Sequence, residues 1–208
     1  MTTWAVLLDG ELTPTPRLSE LVKGTRVIAA DGGMRHAAAL GVEPELWIGD
    51  FDSSDKALMA AWPDVPRHEH PPAKDMTDGH LAVEHALRQG ARRVLLVAAL
   101  GGRSDHALTH LTQLIDLAGR GVTAMATSGS EEAWPLLAGE SRISLPAGTQ
   151  FSLIGLTPLK KVSMSGARWS LDDADLPLGS SRPLSNVAHG EVRISIGEGR
   201  AILLARFP

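Results

Sequence analysis

Cysteine is missing from all 208 residues, which excludes disulfides and thiolate metal sites and fits a reducing cytoplasm, the expected location. Tyrosine is missing as well, so one of the ring types that stack on cationic ligands cannot serve here. There is no Lys/Arg-rich block, and the formal net charge is -4. Neither a nucleic acid nor an anionic membrane is indicated as a partner, and any phosphate ligand must be held by a local site. Long apolar runs are also lacking: the longest, Val94 to Leu100, is far short of the roughly 20 residues of a spanning helix. Met1-Thr2-Thr3-Trp4 carries no basic segment ahead of its short apolar run, so neither membrane insertion nor secretion is expected. What the chain does have is 43% hydrophobic residues, enough to bury a core in one large domain or two small ones.

Apolar strands alternate with helices through the first part of the chain. Trp4 to Leu8 reads as a buried strand closing on Asp9-Gly10, Arg26 to Ala30 as a second closing on Asp31-Gly32-Gly33, and Leu46 to Gly49 as a third closing on Asp50. Helices are expected around Leu18 to Lys23, Met34 to Leu40, Lys56 to Ala61, Thr77 to Gln89 and Ser104 to Leu117, with Gly41 and Gly90 as stops. Arg67 to His70 reads as a short strand, Val94 to Leu100 as a continuous apolar one, and Val122 to Ala126 as the last of this part. Strands that are apolar on both faces and alternate with helices argue for a parallel sheet covered on both sides. Beyond about Thr127 the pattern changes. Arg142 to Leu145, Phe151 to Ile154, Lys161 to Met164, Val192 to Ile196 and Ala201 to Leu204 are short, mostly alternating, and separated by Gly- or Pro-containing turns, the signature of an antiparallel sandwich or barrel. The expected architecture is α/β plus all-β: a three-layer α/β/α domain with a mostly parallel sheet over residues 1–130, then a small antiparallel β-sandwich or barrel over residues 131–208.

The strand ends of the first part collect acid and glycine. In Gly49-Asp50-Phe51-Asp52-Ser53, Asp50 and Asp52 point the same way in an extended chain while Phe51 faces the other side. Carboxylates held that close repel, and a divalent cation relieves the repulsion. Mg²⁺ is the expected ion because it takes oxygen ligands and bridges carboxylates to phosphates. An exposed acidic turn is the competing reading of Asp-x-Asp taken alone. In a parallel sheet with right-handed crossovers, the loops at Asp31-Gly32-Gly33, at Asp50 and Asp52, and at Gly101-Gly102-Arg103-Ser104-Asp105-His106 emerge on one edge. Gly-Gly removes Cβ atoms where a backbone approaches a ligand, amides before a helix offer donors to phosphate, and Arg103 supplies a fixed cation. Lys74-Asp75-Met76-Thr77-Asp78 opens a helix. Capping by Asp75 or Thr77 accounts for this run by itself; the functional alternative gives Asp78 to the metal and Lys74 to a phosphate. Asp105-His106 likewise reads either as a helix cap or as an acid bonded to a substrate hydroxyl.

In combination, Ala30-Asp31-Gly32-Gly33, Ile48-Gly49-Asp50-Phe51-Asp52-Ser53, Lys74-Asp75-Met76-Thr77-Asp78 and Gly101-Gly102-Arg103-Ser104-Asp105-His106 closely resemble the thiamine pyrophosphokinase family. Gly166-Ala167-Arg168-Trp169-Ser170-Leu171 and Ser185-Asn186 extend the resemblance over most of the chain. It implies Mg²⁺-dependent transfer of a diphosphoryl group from ATP to the hydroxyl of thiamine, giving thiamine diphosphate and AMP. It also implies a homodimer whose sites draw on both chains, with an α/β domain for nucleotide and metal and a β-sandwich domain for thiamine. By matching position, Asp50, Asp52 and Asp78 look like the metal carboxylates, with Asp31 beside them among the catalytic acids. Thr77, Arg103 and Asp105 look like nucleotide or phosphate contacts, Asp105 counting also as a catalytic acid. Gly32, Gly33, Lys74, Gly102 and His106 complete the expected phosphate cradle. Ser185 and Asn186 look like thiamine contacts, and Trp169 and His189 are the candidates for stacking on the cationic ring.

The chain departs from the family's usual pattern in three places. It has Gly79-His80 where Leu and Glu are usual, His110 in place of an Asn, and Arg168-Trp169-Ser170 in place of Lys-Tyr/Trp-Pro. The competing functional readings are a diphosphokinase acting on another alcohol such as a pterin, an Asp-x-Asp glycosyltransferase using a nucleotide sugar, and a thiamine- or nucleotide-binding protein without catalysis.

Overall fold

The inner strands of the first part are apolar because both faces of their sheet are covered, while the edge strand Arg67–Glu69 is polar and exposed. The computed structural model describes residues 2–51, 56–70 and 75–207. It divides into two compact units, Met1–His110 with Gly121–Gly129, and Leu111–Arg120 with Ser130–Pro208. In the first unit the described strands are β1 (Thr3–Leu7), β2 (Arg26–Ala30), β3 (Leu46–Gly49), β4 (Arg67–Glu69), β5 (Arg93–Val97) and β6 (Thr123–Thr127). All pair in parallel, in the spatial order β6-β5-β1-β2-β3-β4. The chain steps outward from β1 to β4 and then returns to set β5 on the other side of β1. At such a switch point the loops leaving the carboxyl ends of neighbouring strands diverge and open a crevice.

One face of this sheet buries Ala5, Leu7, Val27, Ala29, Trp47, Leu95 and Val97 with Leu18 and Val22 of α1 (Pro16–Val22) and Ala37 and Leu40 of α2 (His36–Leu40). The partly buried Leu58 and Met59 of α3 (Lys56–Ala61) pack against the same cluster. The other face receives α4 (Asp78–Arg88), which packs on β1, β2 and β3 and buries Ala82, Val83 and Ala86. The sequence predicts one strand through Val94 to Leu100, but β5 ends at Val97, because Ala98 adopts φ +58° and turns the chain. Ala98, Ala99 and Leu100 all stay buried, so hydropathy carries no mark of the break. The helix α5 (Ser104–Gly119) is shared: its start belongs to the first unit and its remainder, from Leu111, to the second.

The second unit comprises β7 (Glu131–Leu136), β8 (Gly139–Ser144), β9 (Gln150–Gly155), β10 (Leu159–Ala167), β11 (Leu171–Leu176), β12 (Asn186–Ile196) and β13 (Ala201–Arg206). The strands pair antiparallel as β7-β13-β9-β12 and as β8-β12-β10-β11. The long strand β12 serves both sheets, pairing with β9 at Asn186 and Val187 and with β8 from Glu191 to Ile196. Phe151, Leu153 and Leu203 of one sheet and Val162, Met164, Val192 and Ile194 of the other enclose one apolar core, so the unit is a β-sandwich. The sequence reading does not anticipate β7 and β11. β7 contains Pro135 and opens on Glu131-Glu132, a composition that argues against a strand. β11 holds Asp172, Asp173 and Asp175, and register shifts against β10 break its alternation. Among the described residues no helix is long and apolar enough to cross a membrane.

Candidate active site

The carboxyl ends of β1, β2, β3 and β5, with the starts of α4 and α5, enclose a cleft of about 720 Å³. Among the described residues, six carboxylates line it, Asp9, Glu11, Asp31, Asp50, Asp75 and Asp78, against two guanidinium groups, Arg35 and Arg103. Both guanidinium groups are already engaged. Arg35 Nη1 donates to Asp9 Oδ1 and its Nη2 to the Asp9 carbonyl at 2.7 Å. Arg103 donates to Asp105 through Nη2 at 2.7 Å and Nε at 3.2 Å. That bonding, helped by the His106 amide at 3.0 Å, holds the Asp105 carboxyl down to about 2. A cleft so rich in acid repels a bare polyphosphate and admits one together with a cation. The donors are hard oxygens, which fits Mg²⁺. Among the described residues no three His, Asp or Glu side chains close on one point to hold an ion. Asp52 and Lys74, both expected at this site, lie outside the described residues.

Backbone strain gathers at the same strand ends. Asp31, Phe51 and Ala98 take left-handed φ values of +46°, +58° and +58°, a conformation that costs a non-glycine residue on the order of 1–2 kcal/mol. Surrounding contacts must enforce it. Trp47 supplies two of them: its Nε1 donates to the Asp31 carbonyl at 2.8 Å, and its ring meets Phe51 edge-on at 5.1 Å.

Asp31, Asp50, Thr77, Asp78, Gly102, Arg103 and His106 are brought together as lining residues. Thr77 is also the N-cap of α4, its Oγ1 accepting from the His80 amide at 3.2 Å, so this side chain both caps the helix and lines the cleft. Gly101 and Gly102 sit at φ +88° and +67°, where glycine is the residue that fits without strain. Gly32 and Gly33 do not line the cleft. A Cβ on Gly33 would meet the Leu7 carbonyl oxygen at 2.2 Å, and one on Gly32 the Asp9 carboxylate at 2.1 Å. Their missing side chains let the 3-10 turn Asp31–Arg35 lie against the end of β1, where the sequence reading gave them to a ligand. Asp105 does not line the cleft either and acts as the partner of Arg103. The sequence reading missed Asp9, Glu11, Arg35 and His110 as wall residues. For Asp9 a signal existed, since Asp9-Gly10 repeats the acid-glycine ending of Asp31-Gly32; Glu11 and Arg35 carry none.

In the second unit, Asn186 is buried and its amide is committed to backbone. Oδ1 accepts from the amides of Trp169 at 3.0 Å and Val187 at 2.9 Å, and Nδ2 donates to the Trp169 carbonyl at 2.7 Å. Asn186 therefore holds Trp169, whose side chain is left 53% exposed, with the Arg168 guanidinium 5.0 Å from the indole centroid. Ser185 is exposed, sits at φ +56°, and donates its amide to Ser152 Oγ at 3.0 Å. His189 is exposed on β12.

One chain thus carries an α/β unit with an acid-lined cleft at its carboxyl edge and a β-sandwich, an architecture that does not by itself name the chemistry. The model of the thiamin pyrophosphokinase catalytic domain matches residues 19–126, and that of the thiamin pyrophosphokinase vitamin B1 binding domain matches residues 140–200. With more than half of its length matched by the first alone, the chain belongs to the thiamin pyrophosphokinase family. Its function is that of a thiamin pyrophosphokinase, and the other-alcohol and non-catalytic readings are not favoured. A comparison with curated protein sequences gives no match. Among solved structures, thiamine pyrophosphokinase from Bacillus subtilis is 22% identical, with 99% of each chain covered and a TM-score of 0.87. That from Geobacillus thermodenitrificans is 24% identical, covering 100% of this chain and 98% of its own at 0.84. The Candida albicans enzyme is 13% identical, covering 99% and 90% at 0.84. These structures share the fold.

Proposed function

We propose that the chain transfers the diphosphoryl group of ATP to the hydroxyl of thiamine, in the cytoplasm and as a homodimer whose sites each draw on both chains. The observation that carries this reading is the set of carboxylates along one cleft, among them Asp31, Asp50 and Asp78. In the reaction the thiamine hydroxyl oxygen attacks the β-phosphorus of ATP. The new O–P bond forms as the bond from that phosphorus to the α–β bridging oxygen breaks, AMP leaves with that oxygen, and the hydroxyl proton passes to a cleft carboxylate. Asp50, Asp52 and Asp78 would hold Mg²⁺, which would neutralise polyphosphate charge and stabilise the charge that develops in transfer. Arg103, oriented by Asp105, donates to phosphate, with Lys74 as a second cation. Thr77 accepts from an amide and so keeps its hydroxyl proton for a phosphate oxygen. On the thiamine side, Asn186 acts through Trp169, fixing the loop so that the indole face receives the cationic ring, with Ser185 and His189 beside it.

Incubating the purified chain with ATP, Mg²⁺ and thiamine tests the proposal: AMP and thiamine diphosphate form in equal amounts. AMP release without thiamine diphosphate, or turnover only with another alcohol, overturns it. Mixing Asp78→Asn with Trp169→Ala chains restores activity when sites are shared, whereas failure to recover places each site within one chain.

A further inference from the structure

His110 lies one helical turn beyond His106 on α5 and lines the cleft. Its Nδ1 is 3.0 Å from the carbonyl oxygen of Ala99. A carbonyl oxygen can only accept, so Nδ1 carries the proton and donates it. That carbonyl is held in place by the turn at Ala98, φ +58°, and by the Ala99 amide, which donates to the Thr127 carbonyl at 3.2 Å. Burial, with a smaller contribution from the charge of His106 and against the Ala99 hydrogen bond, lowers the pKa of His110 from its ordinary value, so the ring is neutral near pH 7. With Nδ1 committed, Nε2 is the polar atom that His110 has left for the cleft, and it bears a lone pair and no proton.

Such an atom is unusual in this setting. Among the described residues, the other hydrogen-bond acceptor side chains of the cleft are carboxylates, except Thr77 and His106. Thr77 already accepts from the His80 amide, and among the described residues no hydrogen bond fixes the tautomer of His106. A neutral acceptor neither repels a phosphate nor binds one; it selects an N–H or O–H donor. Arg103 and His106 precede it on the same wall, the side assigned above to the phosphates. The uncharged donors of the nucleotide are therefore the groups within its chemistry: the ribose hydroxyls and the amino group of the base.

We propose that His110 is a nucleotide-selecting residue, its bare Nε2 accepting a hydrogen bond from a ribose hydroxyl or from the exocyclic amine of the adenine. The proposal rests on ATP being the diphosphoryl donor, as argued above. The test compares wild type with His110→Asn, whose amide nitrogen takes the place of Nδ1 and keeps the bond to Ala99 while nothing replaces Nε2. Calorimetric titration with ATP and no thiamine is expected to show binding about 5–10-fold weaker in His110→Asn, the loss of one neutral hydrogen bond. The KM for ATP rises in step, the KM for thiamine stays put, and the melting midpoint holds.

Analogues identify the donor. If it is the amine, purine riboside triphosphate binds wild type more weakly than ATP does, and His110→Asn no longer tells the two apart. If it is a ribose hydroxyl, 2′- or 3′-deoxy-ATP behaves that way instead. His110→Gln, whose amide oxygen reaches the Nε2 position, recovers part of the discrimination and serves as the main comparison should the Asn variant not fold. Unchanged ATP affinity in His110→Asn, an equal loss for all the analogues, or a loss confined to thiamine overturns the proposal. If wild type binds ATP but makes no thiamine diphosphate, the reaction proposed above fails while the calorimetric comparison still decides the role of His110. If turnover is normal and His110→Asn matches wild type, the role of His110 fails alone.

Discussion

The two units handle charge in opposite ways. In the first, six carboxylates and two guanidinium groups among the described residues converge on one cleft. In the second, charges are paired locally on exposed strands, Lys160 with Asp175 at 3.0 Å and Arg193 with Glu191 at 2.7 Å. Left-handed backbone follows the same division. Asp31, Phe51 and Ala98 all stand at strand ends around the cleft, whereas Lys161 and Asp173 fall where β10 and β11 slip register and Ser185 precedes β12. Like charge and strain gathered in one place are unfavourable for folding, and a packed core must hold them there. The first unit thus concentrates its cost where ligands enter. The second disperses its charges and reserves a buried amide, Asn186, to present one aromatic side chain.

The largest effect that would sharpen this contrast is on rate. Asp78→Asn should lower turnover by about 10²–10³-fold, the scale for removing one electrostatic contact to a transition state, with the thermal midpoint unchanged. Asp175→Asn, the corresponding change on the sandwich, should leave the rate alone. A lowered midpoint with preserved turnover in Asp78→Asn would instead make the cleft acids structural. Next comes Gly33→Ala, which drives a methyl group into the Leu7 backbone and should cost about 3 kcal/mol in chemical denaturation, at the upper end for overpacking. Asn186→Ala strips two amides and a carbonyl of partners and should cost about 1–3 kcal/mol. Its KM for thiamine should rise while that for ATP does not; the reverse would break the assignment of Trp169 to the thiamine side.

The smallest effect is on pH dependence. Burial lowers the pKa of His36 and His110, opposed in part by hydrogen bonds to the carbonyls of Gly10 and Ala99. As pH falls through the ordinary histidine value of about 6.5, the unfolded chain takes up these protons and the folded chain does not. Stability from this source is therefore complete above that value and declines on acidification. Melting curves from pH 7.5 to 5 should show the decline, and His36→Asn should flatten it.

Much of this was legible in the sequence. Apolar runs closing on acid or glycine place β1, β2, β3 and β5 and the edge where their loops meet, because a buried parallel strand needs apolar residues on both faces and its carboxyl end is free to be polar. Other features were hidden by their physics. Ala98 turns left-handed inside an unbroken apolar run, and nothing in an alanine announces that. β11 alternates imperfectly because its register shifts, and Pro135 disguises β7. The roles of Gly32, Gly33 and Asn186 depend on which backbone lies opposite each of them, information that resides in tertiary packing and not in the local pattern.

The contacts of Trp47 give the first unit an internal optical probe of its strand ends. Its indole is wholly buried, bonded to the Asp31 carbonyl and edge-on to Phe51, so displacement of either strand end changes the surroundings of a fluorophore. With no tyrosine in the chain, emission comes from its five tryptophans, among which Trp4 and Trp47 are buried and emit to the blue while the half-exposed Trp169 emits to the red. Comparing wild type with Trp47→Phe and Trp169→Phe chains separates the spectral change on filling the nucleotide side from that on filling the sandwich.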